Sequence, residues 1–70
     1  MNKQEILKRF GFNFKIERMR LKLSQDDIVD KTGISKPYIS GIENGKHDLS
    51  MTNAFILSRI IGKTIEELIK

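Results

Sequence analysis

Two stretches, Leu23-Ser24-Gln25-Asp26-Asp27-Ile28 and Gly33-Ile34-Ser35-Lys36-Pro37-Tyr38-Ile39-Ser40-Gly41-Ile42-Glu43-Asn44-Gly45-Lys46, decide how this chain folds. Ser24 is a strong N-cap, and Asp26 and Asp27 sit in the first helical turn, where the positive end of the helix dipole favours carboxylates. A helix starting there should run to about Lys31 and stop at Thr32-Gly33, since glycine is the usual residue after a helix end. Ser35 can cap a second helix, and Pro37 is tolerated within its first turn. Asn44-Gly45 closes that second helix.

Two short helices joined by a tight turn containing glycine form a helix-turn-helix, here spanning Ser24 to Asn44. Ile28, Ile34, Ile39 and Ile42 are the apolar pins that would lock the pair at a fixed angle. At roughly 100° per residue, Ile39 and Ile42 point one way with Tyr38 on their flank. Lys36, Pro37, Ser40, Gly41 and Asn44 point the other way. That outward set is short and polar, with one cation and no acid. A helix entering a major groove needs this: little bulk, plus donors for base edges and phosphates. Plain solvation would also suit such a face, and Lys36 and Lys46 would also serve as ordinary surface lysines.

Working outward, Ser50 caps a helix from Met51 to Ile61 that ends at Gly62. Thr64-Ile65-Glu66-Glu67 has the capping-box spacing and opens a last short helix. Before the central pair, no proline interrupts Lys3 to Lys22. There Ile6, Phe10, Phe14 and Leu21 fall near one face, and Phe12, Ile16, Met19 and Leu23 form a second stripe. Two apolar sides predict a helix that is mostly buried or partly at an interface. Gly11 costs about 1 kcal/mol in a helix and predicts a break there. No segment alternates like a strand. The expected fold is therefore all-α, with five helices, in a single domain over residues 1–70.

A chain of 70 residues buries only roughly 60% of its unfolded surface, so self-association would supplement a thin core. It has no cysteine, which removes disulfides and any sign of an oxidising compartment. It has no long apolar run, and Met1 to Glu5 does not resemble a secretion leader, so a cytoplasmic protein is expected. The net charge of +4 is unevenly placed: residues 1–22 set seven Lys/Arg against Glu5 and Glu17, and the rest is nearly neutral. An isoelectric point near 9.6 fits a polyanion as partner.

Catalysis would need a nucleophile with a base, or a metal, and one histidine with no cysteine offers neither, so no enzyme and no cofactor is expected. His47 has no second ligand at metal spacing, and Asp26 and Asp27 stand where a helix start wants acids. Arg9-Phe10-Gly11-Phe12-Asn13-Phe14 echoes an RNA-recognition strand, but the companion strands are missing.

The two opening stretches resemble the Cro/repressor-type (XRE-like) helix-turn-helix family, whose pattern is L-S/T-Q-E-E-L-A followed by G-V-S-x-x-x-I-S-x-I-E-x-G-K. The likeness continues through Ile61-Gly62 and Thr64 to Leu68. Tyr38 to Glu43 with Leu49-Ser50 is similar to the controller proteins of restriction-modification systems. The resemblance implies a five-helix, lambda-repressor-like domain that reads double-stranded DNA as a homodimeric transcriptional regulator on a pseudo-palindromic operator. RNA polymerase would be a further partner of an activator. An antitoxin-like or adaptor module without DNA reading is the alternative.

By the same resemblance, Ser35, Lys36, Pro37, Ser40 and Gly41 take the base-facing positions. Gln25, Tyr38, Asn44, Lys46 and His47 take the backbone-gripping ones, and Arg18 pairs with Glu43 in a structural role. Ala54, Phe55, Leu57 and Ile61 would form the core face of the fourth helix. Ile56 and Ile60, with Ile65 and Ile69, would form a dimer patch. Some residues depart from the pattern. Glu17 stands at a normally apolar place and predicts a first helix that is rotated or locally altered, Asp30 replaces alanine, Asp48 puts an acid near the phosphate grip, and Gly41 leaves a reading position blank.

Overall fold

The computed structural model describes residues 1–70 as five helices and no strand: α1 (Lys3–Arg20), α2 (Gln25–Thr32), α3 (Lys36–Glu43), α4 (Met51–Ile60) and α5 (Ile65–Leu68). Each start is capped by the side chain of the preceding residue: Asn2, Ser24, Ser35, Ser50 and Thr64 each accept a backbone N–H from the first turn. Ser24 with Asp27, and Thr64 with Glu67, complete reciprocal capping boxes. The backbone hydrogen bond from Ser24 and its hydroxyl hold the Asp27 carboxyl below the usual carboxylate range. No helix is long and apolar enough to cross a membrane.

The core draws on every helix. Phe10 and Phe14 of α1 stack in it at a ring separation of 6.4 Å. Around them lie Ile28, Ile39, Ile42, Ala54, Leu57, Ile61 and Leu68, all buried. Burying each large side chain contributes about 1.5–3 kcal/mol. α1 packs on α3 and α5, while α4 packs on α2 and α5, so the α2–α3 pair is held from both sides. Asn13 fastens the end of α5 to α1 by donating to Leu68 O (2.7 Å) and Lys70 O (3.2 Å).

Three sequence expectations for α1 can be set against this scaffold. α1 is unbroken at Gly11, which is buried where the helix meets α3. A Cβ on Gly11 would run into the Ile42 carbonyl oxygen and sit 3.1 Å from that of Glu43. The glycine is therefore a close-approach site, not a weak point. Secondly, only one side of α1 is buried. Phe12, Ile16 and Met19 are 61, 44 and 55% exposed, and Ile6 and Leu21 are also exposed. Thirdly, Glu17, at a place where the family is normally apolar, lies half-buried at the edge of the buried side and pairs with Arg20 at 2.7 Å.

These facts set two effects against each other at Gly11. Helix propensity alone favours Gly11→Ala by about 1 kcal/mol. Overpacking against the α3 backbone opposes it, and should win by about 1–3 kcal/mol. Urea unfolding of Gly11→Ala should show a lowered midpoint, and a raised midpoint would disprove the close approach.

Candidate nucleic-acid interface

The turn between α2 and α3 is built by three short-range contacts. Gly33 ends α2 in the left-handed region, at φ 75°. Thr32 Oγ1 donates to Ile28 O (2.7 Å) and accepts from Ile34 N (3.1 Å). Ser35 then caps α3, and Ile39 and Ile42 turn inward to full burial while Ile34 packs half-buried against the core. Ser35, Lys36, Pro37 and Asn44 consequently face solvent, and Ser40 is half-buried beside them.

Behind this face lies a buried ion pair. Arg18 Nε donates to Glu43 Oε2 (2.7 Å) and its Nη2 to Oε1 (3.0 Å). Arg18 Nη1 donates to Leu23 O (2.8 Å), and Gln25 Nε2 donates to Glu43 Oε1 (3.0 Å). One carboxylate thus ties the end of α1, the start of α2 and the end of α3. The pairing expected for Arg18 and Glu43 is present. Gln25, expected at a phosphate, directs one amide N–H to Glu43 in the protomer.

Other site residues also have partners within the chain. Lys36 Nζ lies 3.3 Å from Asp26 Oδ1, with both groups largely exposed. Such pairs contribute about 0–1 kcal/mol, so this one can open readily toward another anion. Asp26 and Asp27 accordingly do not converge on a shared site, and Asp30 faces solvent. Asn44 Nδ2 donates to Ser40 O (2.9 Å), and the Tyr38 hydroxyl donates to Asp48 O (2.8 Å). Asp48 is paired with Lys3 at 2.9 Å. The Lys3 ammonium, helped by the Leu49 N–H, holds this carboxyl below its ordinary range, so the acid feared near the grip has its charge offset.

Past α3 the chain reverses tightly. Gly45, at φ 69°, lets Lys46 N reach Gly41 O (2.8 Å) and Gly45 N reach Ile42 O (3.0 Å). Two consequences were not visible in the sequence. Lys8 of α1 lies against Gly45, its Cα 3.3 Å from where a side chain there would begin, which brings a base of the N-terminal cluster beside the loop. The expected blank at Gly41 is also filled: Gly41 is buried, with the His47 imidazole lying over it. The N-terminal charge excess pointed toward Lys8, and the family resemblance toward His47 as a backbone contact; only its seat on Gly41 had no signal in the sequence.

On α4, Met51 and Phe55 are 84 and 54% exposed. Phe55 is therefore outside the core, contrary to expectation, and Arg59 lies over its ring at 5.4 Å. Ile60, Ile65 and Ile69 are half-buried and pack on the core. Ile56 joins Met51, Thr52, Phe55 and Ile65 around a shallow apolar groove.

A short helix pinned by its inner isoleucines, with a small, acid-free outer arc and a glycine-bearing turn before it, defines a helix-turn-helix protein. The chain belongs to the helix-turn-helix family, whose profile matches residues 14–68. It is 34% identical over 61 residues to the control protein C.MunI of a Mycoplasma species, covering 86% of this chain and 82% of that one. It is 39% identical over 46 residues to an HTH-type transcriptional regulator of Methanocaldococcus jannaschii, covering 66% of this chain and 70% of that protein. The restriction-modification controller protein C.AhdI of Aeromonas hydrophila superposes with a TM-score of 0.80 at 27% identity, over 89% of this chain and 94% of that one. The hypothetical transcription factor NHTF of Neisseria shares the fold, with a TM-score of 0.85 at 17% identity, over 100% of this chain and 80% of that one.

The ion pair supplies a test of the scaffold. Glu43→Ala strands a buried guanidinium and should cost about 3–5 kcal/mol in denaturant unfolding, whereas Arg18→Met with Glu43→Leu should recover much of it. A loss under about 1 kcal/mol for Glu43→Ala would show that the pair does not hold the three helices.

Proposed function

We propose that this protein is a sequence-specific, double-stranded DNA-binding transcriptional regulator that acts as a homodimer, in the manner of a restriction-modification controller. The observation that carries this reading is the outward arc of α3: exposed Ser35, Lys36 and Pro37, half-buried Ser40 and exposed Asn44, with no acid among them. Its small size permits close approach to base edges, and Lys36 is the cation within reach of guanine N7 and O6. Lys46, with Lys8 beside Gly45, supplies charge for the phosphate backbone. The family and its named controller relatives support the same conclusion. Residues 1–70 act as one DNA-binding unit, and RNA polymerase is a partner where the protein activates.

Enrichment from a random duplex library tests the reading directly, and a two-fold symmetric motif is expected. On the enriched duplex, Lys36→Ala should cost about 1–3 kcal/mol and relax base preference. Lys46→Ala should weaken all duplexes alike and reduce the salt slope by about one. Failure to enrich any sequence would overturn the DNA-reading role.

The dimer is supported by the apolar surface of Met51, Phe55, Ile56 and Ile65, which extends the patch expected from Ile56, Ile60, Ile65 and Ile69. Burying it in a two-fold interface would set two copies of α3 about 34 Å apart, one turn of DNA. Phe55 is exposed in the protomer, so Phe55→Glu spares the core. Sedimentation should find this variant monomeric with its helicity intact, and a persisting dimer would exclude the patch.

A further inference from the structure

The geometry points to His47 as a base-reading residue of the α3 surface, delivered from the following loop into a seat that Gly41 leaves open. This rests on the DNA-reading role of α3 and assigns one of its contacts. Gly41 lies on the outward arc, a position where an ordinary recognition helix would carry a side chain of its own. Here that place is taken from outside. The reversal at Gly45 turns the chain back along α3, closed by Lys46 N to Gly41 O at 2.8 Å. His47 then lies on the glycine: a Cβ at position 41 would strike its Cδ2 and Nε2 and stand 2.8 Å from its Cγ.

The imidazole is also held from the side. Its ring stacks on Tyr38 at 5.3 Å between centroids, with 17° between planes. Tyr38 is itself fixed, because its hydroxyl donates to Asp48 O at 2.8 Å, one residue beyond His47. A glycine seat below and an aromatic wall beside the ring restrict its rotamers, which is what a reading group needs to discriminate between bases. The Cδ2–Nε2 edge faces Gly41, so the edge carrying Nδ1 faces away from the helix. Neighbouring hydrogen bonds use the Tyr38 hydroxyl, Asn44 and Asp48, and leave the ring nitrogens free. A free imidazole N–H matches the acceptors N7 and O6 on a purine edge in the major groove. A residue that only gripped phosphate would need neither the missing side chain at position 41 nor the stack.

The test uses the full chain and the duplex enriched by the wild type, together with duplexes carrying each single base-pair change. Its central variant is His47→Phe, which keeps the stack and fills the seat but has no ring nitrogen. Wild type should lose roughly tenfold or more in affinity when one purine per half-site is changed. His47→Phe and His47→Ala should lose less than about twofold for that same change, while discriminating normally elsewhere. Gly41→Ala should behave like them, since its methyl group displaces the ring; if it does not fold, His47→Phe decides. Full wild-type discrimination by His47→Phe at every position would overturn the assignment and leave the role of α3 intact. An equal loss for His47→Ala on all sequences would reduce His47 to a backbone contact. If the wild type enriches no sequence, both the assignment and the role it rests on fall.

Discussion

The Arg18–Glu43 pair is the constraint on which the rest of the structure depends. Both groups are almost wholly removed from water, with side chains 10 and 2% exposed. Such burial is tolerable only when the charges satisfy one another and the leftover hydrogen-bonding capacity is used. Here the guanidinium spends its third nitrogen on Leu23 O, and the carboxylate accepts a further bond from Gln25. No buried side-chain polar atom in the chain lacks a partner. What the pair supplies is geometry more than free energy: the two groups meet well only when α1, the start of α2 and the end of α3 hold one arrangement. A purely apolar seam at this place would leave α3 freer to rotate about its axis.

That rotation matters because α3 has only eight residues. A helix so short is not stable alone, and its orientation must come from what surrounds it. The isoleucines at 39 and 42 fix which side is buried. Glu43, on the flank of that side, is held by a directional bond, which isoleucine packing cannot provide. The outward arc is thus set to within the tolerance of a hydrogen bond, although the apolar contacts beneath it would permit some slippage.

The extent to which this was legible from the sequence follows from where each signal resides. Caps, turns and the inward isoleucines are local, so Ser24, Gly33, Ser35, Ile28, Ile39 and Ile42 could be read directly. The partnership of Arg18 and Glu43, 25 residues apart, was accessible through the family resemblance but not through spacing. Apolar periodicity misled on α1 because it reports which residues share a face, not whether anything covers it; hence the exposure of Phe12, Ile16 and Met19. Phe55 fails for the same reason: it is a large apolar residue one position off the inner face of Ala54, Leu57 and Ile61. The close approach at Gly11 and the seating of His47 on Gly41 were out of reach because they exist only once α1, α3 and the loop after α3 are brought together.

The two glycines then explain a division within α3. Both act through a missing side chain, and both act on the C-terminal half of the helix. Gly11 lets the backbone of α1 press against the carbonyls of Ile42 and Glu43 from within. Gly41 lets His47 lie on the helix from without. The last turn of α3 is therefore gripped on both sides, closed by Gly45, and tied by Glu43 to two other elements. Its first turn carries the Ser35 cap, the exposed Lys36–Asp26 pair, the buried Ile39, and Tyr38, whose hydroxyl reaches Asp48 O. Only its outermost residues, Lys36 and Pro37, stand clear in solvent. On the proposed DNA-reading role, Lys36 and Pro37 at that exposed end, with Ser40 one turn on, meet the groove, while the clamped last turn, with His47 seated on it, limits how far the helix can turn.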